Sequence, residues 1–131
     1  MWNANDLTPE KIHHEITQFY VLTYENTVAG VMKFQTEDAI FWPDVPPHES
    51  AFVHRLAVRR EFAGSGVSQA LLDFAVKKGT SLEKKFLRLD CAGDRTKLRR
   101  IYESFGFTYH SDKRVGIFDV ARYEYRLQSA R

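Results

Sequence analysis

Leu56-Ala57-Val58-Arg59-Arg60-Glu61-Phe62-Ala63-Gly64-Ser65-Gly66-Val67-Ser68 passes from a strand through a turn into a helix. Before it, Ala51 to Val58 reads as a strand, with Phe52, His54, Leu56 and Val58 expected on one face and Ala51, Val53, Arg55 and Ala57 on the other. After it, Val67, Ala70, Leu71, Phe74 and Ala75 recur at helical spacing and form an apolar stripe. The glycines at 64 and 66 allow a tight bend and keep side chains away from an approaching ligand. The first amides of a helix have no internal partners, and its dipole favours negative charge. A diphosphate suits several convergent N–H groups better than a smaller anion does.

Other phosphate loops fit this stretch badly. A nucleotide-hydrolase loop needs Gly-Lys followed by Ser or Thr, whereas Gly66 is followed by Val67-Ser68. A dinucleotide loop wants a small residue where Gln69 stands, and the chain does not open with a βαβ unit.

Working outward, Thr8 and Pro9 read as cap and first turn of a short helix reaching Ile16. Gln18 to Tyr24 and Val28 to Thr36 read as an antiparallel hairpin around Glu25-Asn26-Thr27. Pro43, Pro46 and Pro47 make Phe41 to Ser50 a loop. Phe86 to Leu89 begins a strand, Asp94 to Ser104 is helical, and Phe107 to Tyr109 and Phe118 to Leu127 supply the last strands. With neither repeats nor a linker, residues 1–131 form a single α/β domain.

Composition bounds the function. The chain is 44% hydrophobic and 27% charged, which is globular, and no apolar run is long enough to span a membrane. The first six residues lack the basic region and apolar run of a signal peptide, and Cys91 stands alone, so a cytoplasmic location is expected. A net charge of +2 is too small to argue for nucleic acid. The basic residues cluster between Lys77 and Arg100, where they set up a local field for an anionic ligand.

A second anchor is Leu87-Arg88-Leu89-Asp90-Cys91, followed by Leu98-Arg99-Arg100-Ile101-Tyr102-Glu103-Ser104-Phe105-Gly106-Phe107. Together with Leu56-Ala57-Val58 and Glu61 to Gly66, it resembles the GNAT family of N-acetyltransferases, from about Gln18 to Leu127. The resemblance implies a mixed, mostly antiparallel sheet flanked by helices, splayed near Leu56 to Val58, with acetyl-CoA in the opening. It implies the pantetheine arm along Leu56, Ala57 and Val58, and the pyrophosphate on the amides of Ala63, Gly64, Ser65, Gly66, Val67 and Ser68. Arg60, Arg95 and Arg99 are the cationic side chains assigned around it. Glu61, Ala63 and Arg95 depart from the residues that the family often carries there, and the usual first strand and helix look shortened.

The implied reaction is direct attack of a primary amine, of a small molecule or amino acid, on the thioester in a ternary complex. The Val58 N–H is the candidate donor to the thioester carbonyl. Tyr102, which the resemblance places near the sulfur, is the candidate acid, since an ordinary tyrosine is protonated at neutral pH. His54, and Glu49 acting through water, are the candidate bases. Trp42, Asp44, Glu49 and Asp112 offer an acidic, aromatic mouth to the acceptor. His13 and His14 would point apart on a helix, so no metal is expected. A homodimer stays open. So do a peptide N-acetyltransferase and a non-catalytic CoA-binding or interaction module; a nucleic-acid-binding domain lacks any recognised module.

Overall fold

The structure, a computed structural model, describes residues 12–16 and 19–128. Seven strands form one sheet in the order β1-β2-β3-β4-β5-β7-β6. They are β1 (Ile12–Ile16), β2 (Phe19–Tyr24), β3 (Thr27–Gln35), β4 (Ser50–Val58), β5 (Phe86–Ala92), β6 (Thr108–Val115) and β7 (Phe118–Arg126). Every neighbouring pair is antiparallel except β4 and β5. The two helices are α1 (Val67–Ser81) and α2 (Thr96–Phe105). None of the described helices is long and apolar enough to cross a membrane.

The hairpin and the later elements lie where the sequence indicates, within a few residues, except that the long loop begins at residue 36 rather than Phe41 and β6 runs on to Val115, six residues past the expected Tyr109. The opening differs. The expected helix start at Thr8 and Pro9, like the region where a shortened first strand and helix were expected, lies outside the described residues. Residues 12–16, expected to be helical, are instead a strand paired with β2 from Ile12–Leu22 to Ile16–Phe19. Pairing with a neighbouring strand overrides the weak local preference of so short a segment.

One face of the sheet carries the apolar core under α1, with Leu22, Met32, Val53, Leu71, Leu72, Leu87 and Leu89 all buried. Gly30 on β3 lets α1 approach: a Cβ there would lie 2.7 Å from Val67 Cγ1 and 3.1 Å from Leu71 Cδ1. Among the described residues the other face is closed by the loop 36–49 rather than by a helix. Its anchor is Trp42, buried at 2% exposure, with the Arg122 guanidinium 4.5 Å and the Arg88 guanidinium 5.4 Å from its ring. Both arginines are themselves buried and paired, Arg122 with Asp44 and Arg88 with Glu49 and Glu124. A buried guanidinium needs such partners, because an uncompensated buried charge is strongly destabilising.

The parallel pair β4–β5 is joined only from Ser50–Phe86 to Val53–Leu89. Beyond that rung β4 stays with β3 as far as Val58, and β5 stays with β7 as far as Ala92, so the sheet forks. The fork coincides with an irregularity in β4. Between the pairs Lys33–His54 and Val31–Ala57, β4 has one more residue than β3, and Arg55 there has φ +54°. Such a bulge bends the strand and breaks its alternation. The expected single face of Phe52, His54, Leu56 and Val58 is therefore corrected. Val53 and Val58 oppose Phe34 and Gly30 and share the α1 face, and Leu56 packs on the same core. His54 points to the opposite side.

Gly30→Ala is expected to lower stability by about 1–3 kcal/mol through overpacking against Val67 and Leu71. An unshifted denaturant midpoint would mean that α1 yields to the added methyl group.

Candidate functional site

At the end of β4 the Arg59 N–H donates to Ala29 O at 2.8 Å, and a single 3-10 turn, Arg60–Phe62, buries Phe62. The chain then turns through Gly64 at φ +77° and Gly66 at φ +92°, values that disfavour any side chain. Gly66 caps α1, and no side chain among the described residues caps the first helical amides. The N–H groups of Gly64, Gly66, Val67, Ser68 and Gln69 make no backbone hydrogen bond among the described residues outside the helix ladder, which starts at Ala70 N–H to Gly66 O. Ala63 and Ser65 differ. The Ala63 N–H donates to Arg60 O, and both the N–H and the hydroxyl of Ser65 donate to Phe62 O, so these groups hold the turn together.

These amides open onto a cleft of about 360 Å³ bounded by Val58, Phe62, Ala63, Gly64 and Gly66 to Gln69, and across it by Lys97, Arg100 and Ile101. Lys97 and Arg100 are three apart on α2 and thus share a face. The cations beside the cradle are these two, not the expected pair Arg95 and Arg99. Arg99 turns away to donate to Tyr123 Oη at 2.9 Å and Gly93 O at 2.8 Å. Arg95 is exposed at the N-terminal boundary of α2, and Arg60 is exposed on the 3-10 turn; neither lines this cleft.

Strand alternation orients the backbone at the fork. Successive N–H groups point to opposite sides, so with Arg59 N–H directed at β3, the amide groups of Val58 and Leu56 face the gap left by β5. Tyr102 lies on α2. It is 4% exposed, its ring 6.0 Å from those of Phe107 and Tyr123. Burial, with Cys91 and Asp90 nearby, pushes its hydroxyl far above the ordinary tyrosine range, so it stays protonated at neutral pH. Cys91 is buried in β5, which raises its thiol as well.

On the other side of the fork, His54 and Asp90 are the residues that follow the last rung, Val53–Leu89, on each strand. Asp38 joins them from the loop. Its Oδ1 accepts from the amides of Ile40 at 3.1 Å and Phe41 at 2.9 Å, and its Oδ2 lies 3.1 Å from His54 Nε2. These three residues line a cavity of about 660 Å³ together with Lys33, Phe41 and Arg55. Burial works to raise the Asp38 carboxyl, but His54 and the two loop amides outweigh it and hold it below the usual value. Asp90 moves the other way, pushed up to about 6 by burial and the Asp38 charge against the opposing pull of His54, Arg122 and the Trp42 indole.

The expected acidic mouth is not assembled. Glu49 precedes β4 and pairs with Arg88 at 3.2 Å, five residues and roughly 16 Å along an extended strand from His54. Trp42 is an anchor of the core, and Asp44 is committed to Arg122 through contacts of 2.8 and 3.1 Å. Asp112 is exposed on β6 and lines a separate groove with Arg99. The sequence reading missed Asp38, Asp90, Lys97 and Arg100. For Asp90 a signal existed: in Leu87-Arg88-Leu89-Asp90-Cys91 the charged residues alternate with apolar ones, which puts both on the face away from the core.

The Arg122 guanidinium holds the Asp44 carboxyl down at about 2. Its ordinary value is near ~3.9, so this pair contributes stability above pH ~4 that is lost as pH falls toward 2. Melting temperatures of the parent and Asp44→Ala are expected to differ above pH 4 and to converge toward pH 2; a constant difference would contradict the assignment.

A model of the Acetyltransferase (GNAT) family matches residues 2–107. The "Uncharacterized N-acetyltransferase YesJ" of Bacillus subtilis (strain 168) is 38% identical over 72 residues, 55% of this chain and 40% of that protein. A crystal structure of a GNAT-family acetyltransferase from Listeria monocytogenes 4b F2365 superposes with a TM-score of 0.69 at 26% identity, covering 84% of this chain and 64% of the other. A GNAT-family acetyltransferase from Elizabethkingia anophelis, with acetyl-CoA bound, gives a TM-score of 0.70 at 17% identity over 83% of this chain and 75% of the other. The chain thus spans less than two thirds of the length of the first two.

Proposed function

The chain belongs to the GNAT acetyltransferase family, and on that premise we propose that it transfers the acetyl group of acetyl-CoA to a primary amine of a small molecule or amino acid. The observation that carries this reading is the fork between β4 and β5, with an uncapped helix start at its outer end. The pyrophosphate would lie on the free amides of Gly64 and of Gly66 to Gln69, with Lys97 and Arg100 supplying the charge that Glu61 and Ala63 do not. The pantetheine arm would run along Leu56 to Val58, whose inward-facing amide groups can pair with its own. The structural relative with bound acetyl-CoA supports the same cofactor.

In this arrangement the thioester stands at the fork, its carbonyl oxygen accepting from the Val58 N–H. The acceptor enters from the His54 side, and Tyr102 gives its proton to the departing thiolate from the helix side. Loss of water contact makes the Tyr102 phenolate costly, so the proton must be replaced quickly, and the buried hydroxyl acts only as the thiolate forms. A reducing compartment such as the cytoplasm fits the buried, unpaired Cys91.

Incubation with acetyl-CoA and pooled amines, amino acids and peptides, read by mass, is expected to show a gain of one acetyl group on small amines. Acetyl-CoA binding without transfer to any pool would instead favour a non-catalytic module, and transfer to peptides alone a peptide acetyltransferase. Tyr102→Phe is expected to lower kcat by about 10²-fold or more while calorimetric affinity for CoA is kept. Gly66→Val should do the reverse and weaken CoA binding, since φ +92° excludes a branched side chain. Equal kcat for Tyr102→Phe and parent would remove the acid role.

A further inference from the structure

Successive residues of a regular strand point to opposite faces, yet His54 and Arg55 both line the 660 Å³ cavity on the loop side of the fork. The bulge permits it. Arg55 is the extra residue between the pairs Lys33–His54 and Val31–Ala57, with φ +54°, and Leu56 after it returns to the core. A left-handed backbone suits glycine and costs an arginine energy, and such strain gathers where a side chain is put to use.

Beside Arg55, Lys33 on β3 lies opposite His54 and lines the same cavity, its Nζ 5.7 Å from the centre of the Phe19 ring. An aromatic face orients an ammonium group without cancelling its charge. Among the described residues neither Arg55 nor Lys33 makes an ion pair. The other two guanidinium groups on this face, Arg88 and Arg122, are buried and committed to Glu49, Glu124 and Asp44. The acids of the cavity stand elsewhere: Asp38 in the loop, 3.1 Å from His54, and Asp90 across the fork on β5. Uncommitted positive charge thus runs along β3 and β4, and negative charge lies over the loop and β5.

We propose that Arg55 and Lys33 receive a carboxylate of the acceptor, so that the substrate is an amino acid or another amino carboxylate rather than a simple amine. The proposal rests on the acetyl-transfer reading for the amine, and on the cavity alone for the anion. A planar guanidinium matches the two oxygens of a carboxylate, and the lysine adds a mobile point charge. The sum of charges excludes a stronger anion. Lys33 and Arg55 share the cavity with Glu37, Asp38 and Asp90, so a phosphate dianion would meet acids that repel it. An amino carboxylate carries no net charge and meets both signs. A simple amine would leave the strained guanidinium without a counterpart.

The test compares amino acids with the amines that differ from them only by loss of the carboxylate: leucine with isopentylamine, phenylalanine with phenethylamine, and β-alanine with ethylamine. Titration of the full chain without cofactor, followed by saturation-transfer NMR, is expected to show at least one amino acid binding about tenfold or more tightly than its amine. Arg55→Gly removes the guanidinium while allowing the left-handed φ that the bulge needs, and is expected to bring that ratio to about one. Arg55→Lys should keep part of the preference. Affinity for CoA checks that the fork persists in each variant. Should Arg55→Gly lose it, Lys33→Met carries the test, with an expected several-fold fall in the same ratio. With acetyl-CoA the preference should appear in kcat/KM, the loss in Arg55→Gly falling mainly on KM. No amino acid bound better than its amine, a ratio unaltered in the variants, or 2-aminoethyl phosphate preferred to β-alanine would overturn the carboxylate site. A carboxylate preference without acetyl transfer to any of these compounds would sink the acetyl-transfer reading alone, since the NMR titration needs no cofactor.

Discussion

The rung between Val53 and Leu89 is the last that β4 and β5 share, and the structure beyond it depends on how β4 leaves its neighbour. A single extra residue, Arg55, is accommodated in a left-handed conformation that costs a non-glycine residue energy. The bulge bends β4 away from β5 while its pairing with β3 continues to Val58. Two consequences follow at once. The backbone amides of Leu56 and Val58 lose a strand partner and become available to a ligand. The side chains beyond the bulge change faces, so that Val58 rests on the core while His54 looks into the opposite cavity.

Each side of the fork is then built by a different kind of packing. The helix side is apolar, with α1 seated on Gly30 and Tyr102 pressed between Phe107 and Tyr123. The loop side is held by charge. Arg122 and Arg88 clamp Trp42 on the sheet and are neutralised by Asp44, Glu49 and Glu124. That clamp brings Asp38 to His54 and Asp90, and it explains why acidic residues of the loop that look available in the sequence are already committed. The cleft at the start of α1 and the cavity at His54 thus lie on opposite sides of the fork.

Much of this was legible in the sequence. Gly64-Ser65-Gly66 followed by a helical stripe marks the cradle, and the spacing to Tyr102 and Gly106-Phe107 marks the family. What was not legible has physical causes. A bulge is invisible to a period of two, so the faces of β4 were assigned by an alternation that Arg55 interrupts. Ion pairs between residues far apart in sequence, such as Arg122 with Asp44 at a separation of 78, leave no local trace. The rotation of α2 about its axis decides that Lys97 and Arg100, rather than Arg95 and Arg99, face the cleft, and only packing sets it. The helix expected to reach Ile16 gave way to strand pairing at residues 12–16, where β2 offers the backbone its hydrogen bonds.

The central claim is that acetyl-CoA lies in the fork, on backbone that β5 has left unpaired. Peptide-resolved amide hydrogen exchange with and without saturating acetyl-CoA tests it directly, because it reads those N–H groups themselves. Exchange is expected to slow across residues 56–58 and 64–69 and to stay unchanged along β1 and the β6–β7 turn. Protection confined to other segments, or none at saturation, would contradict the account.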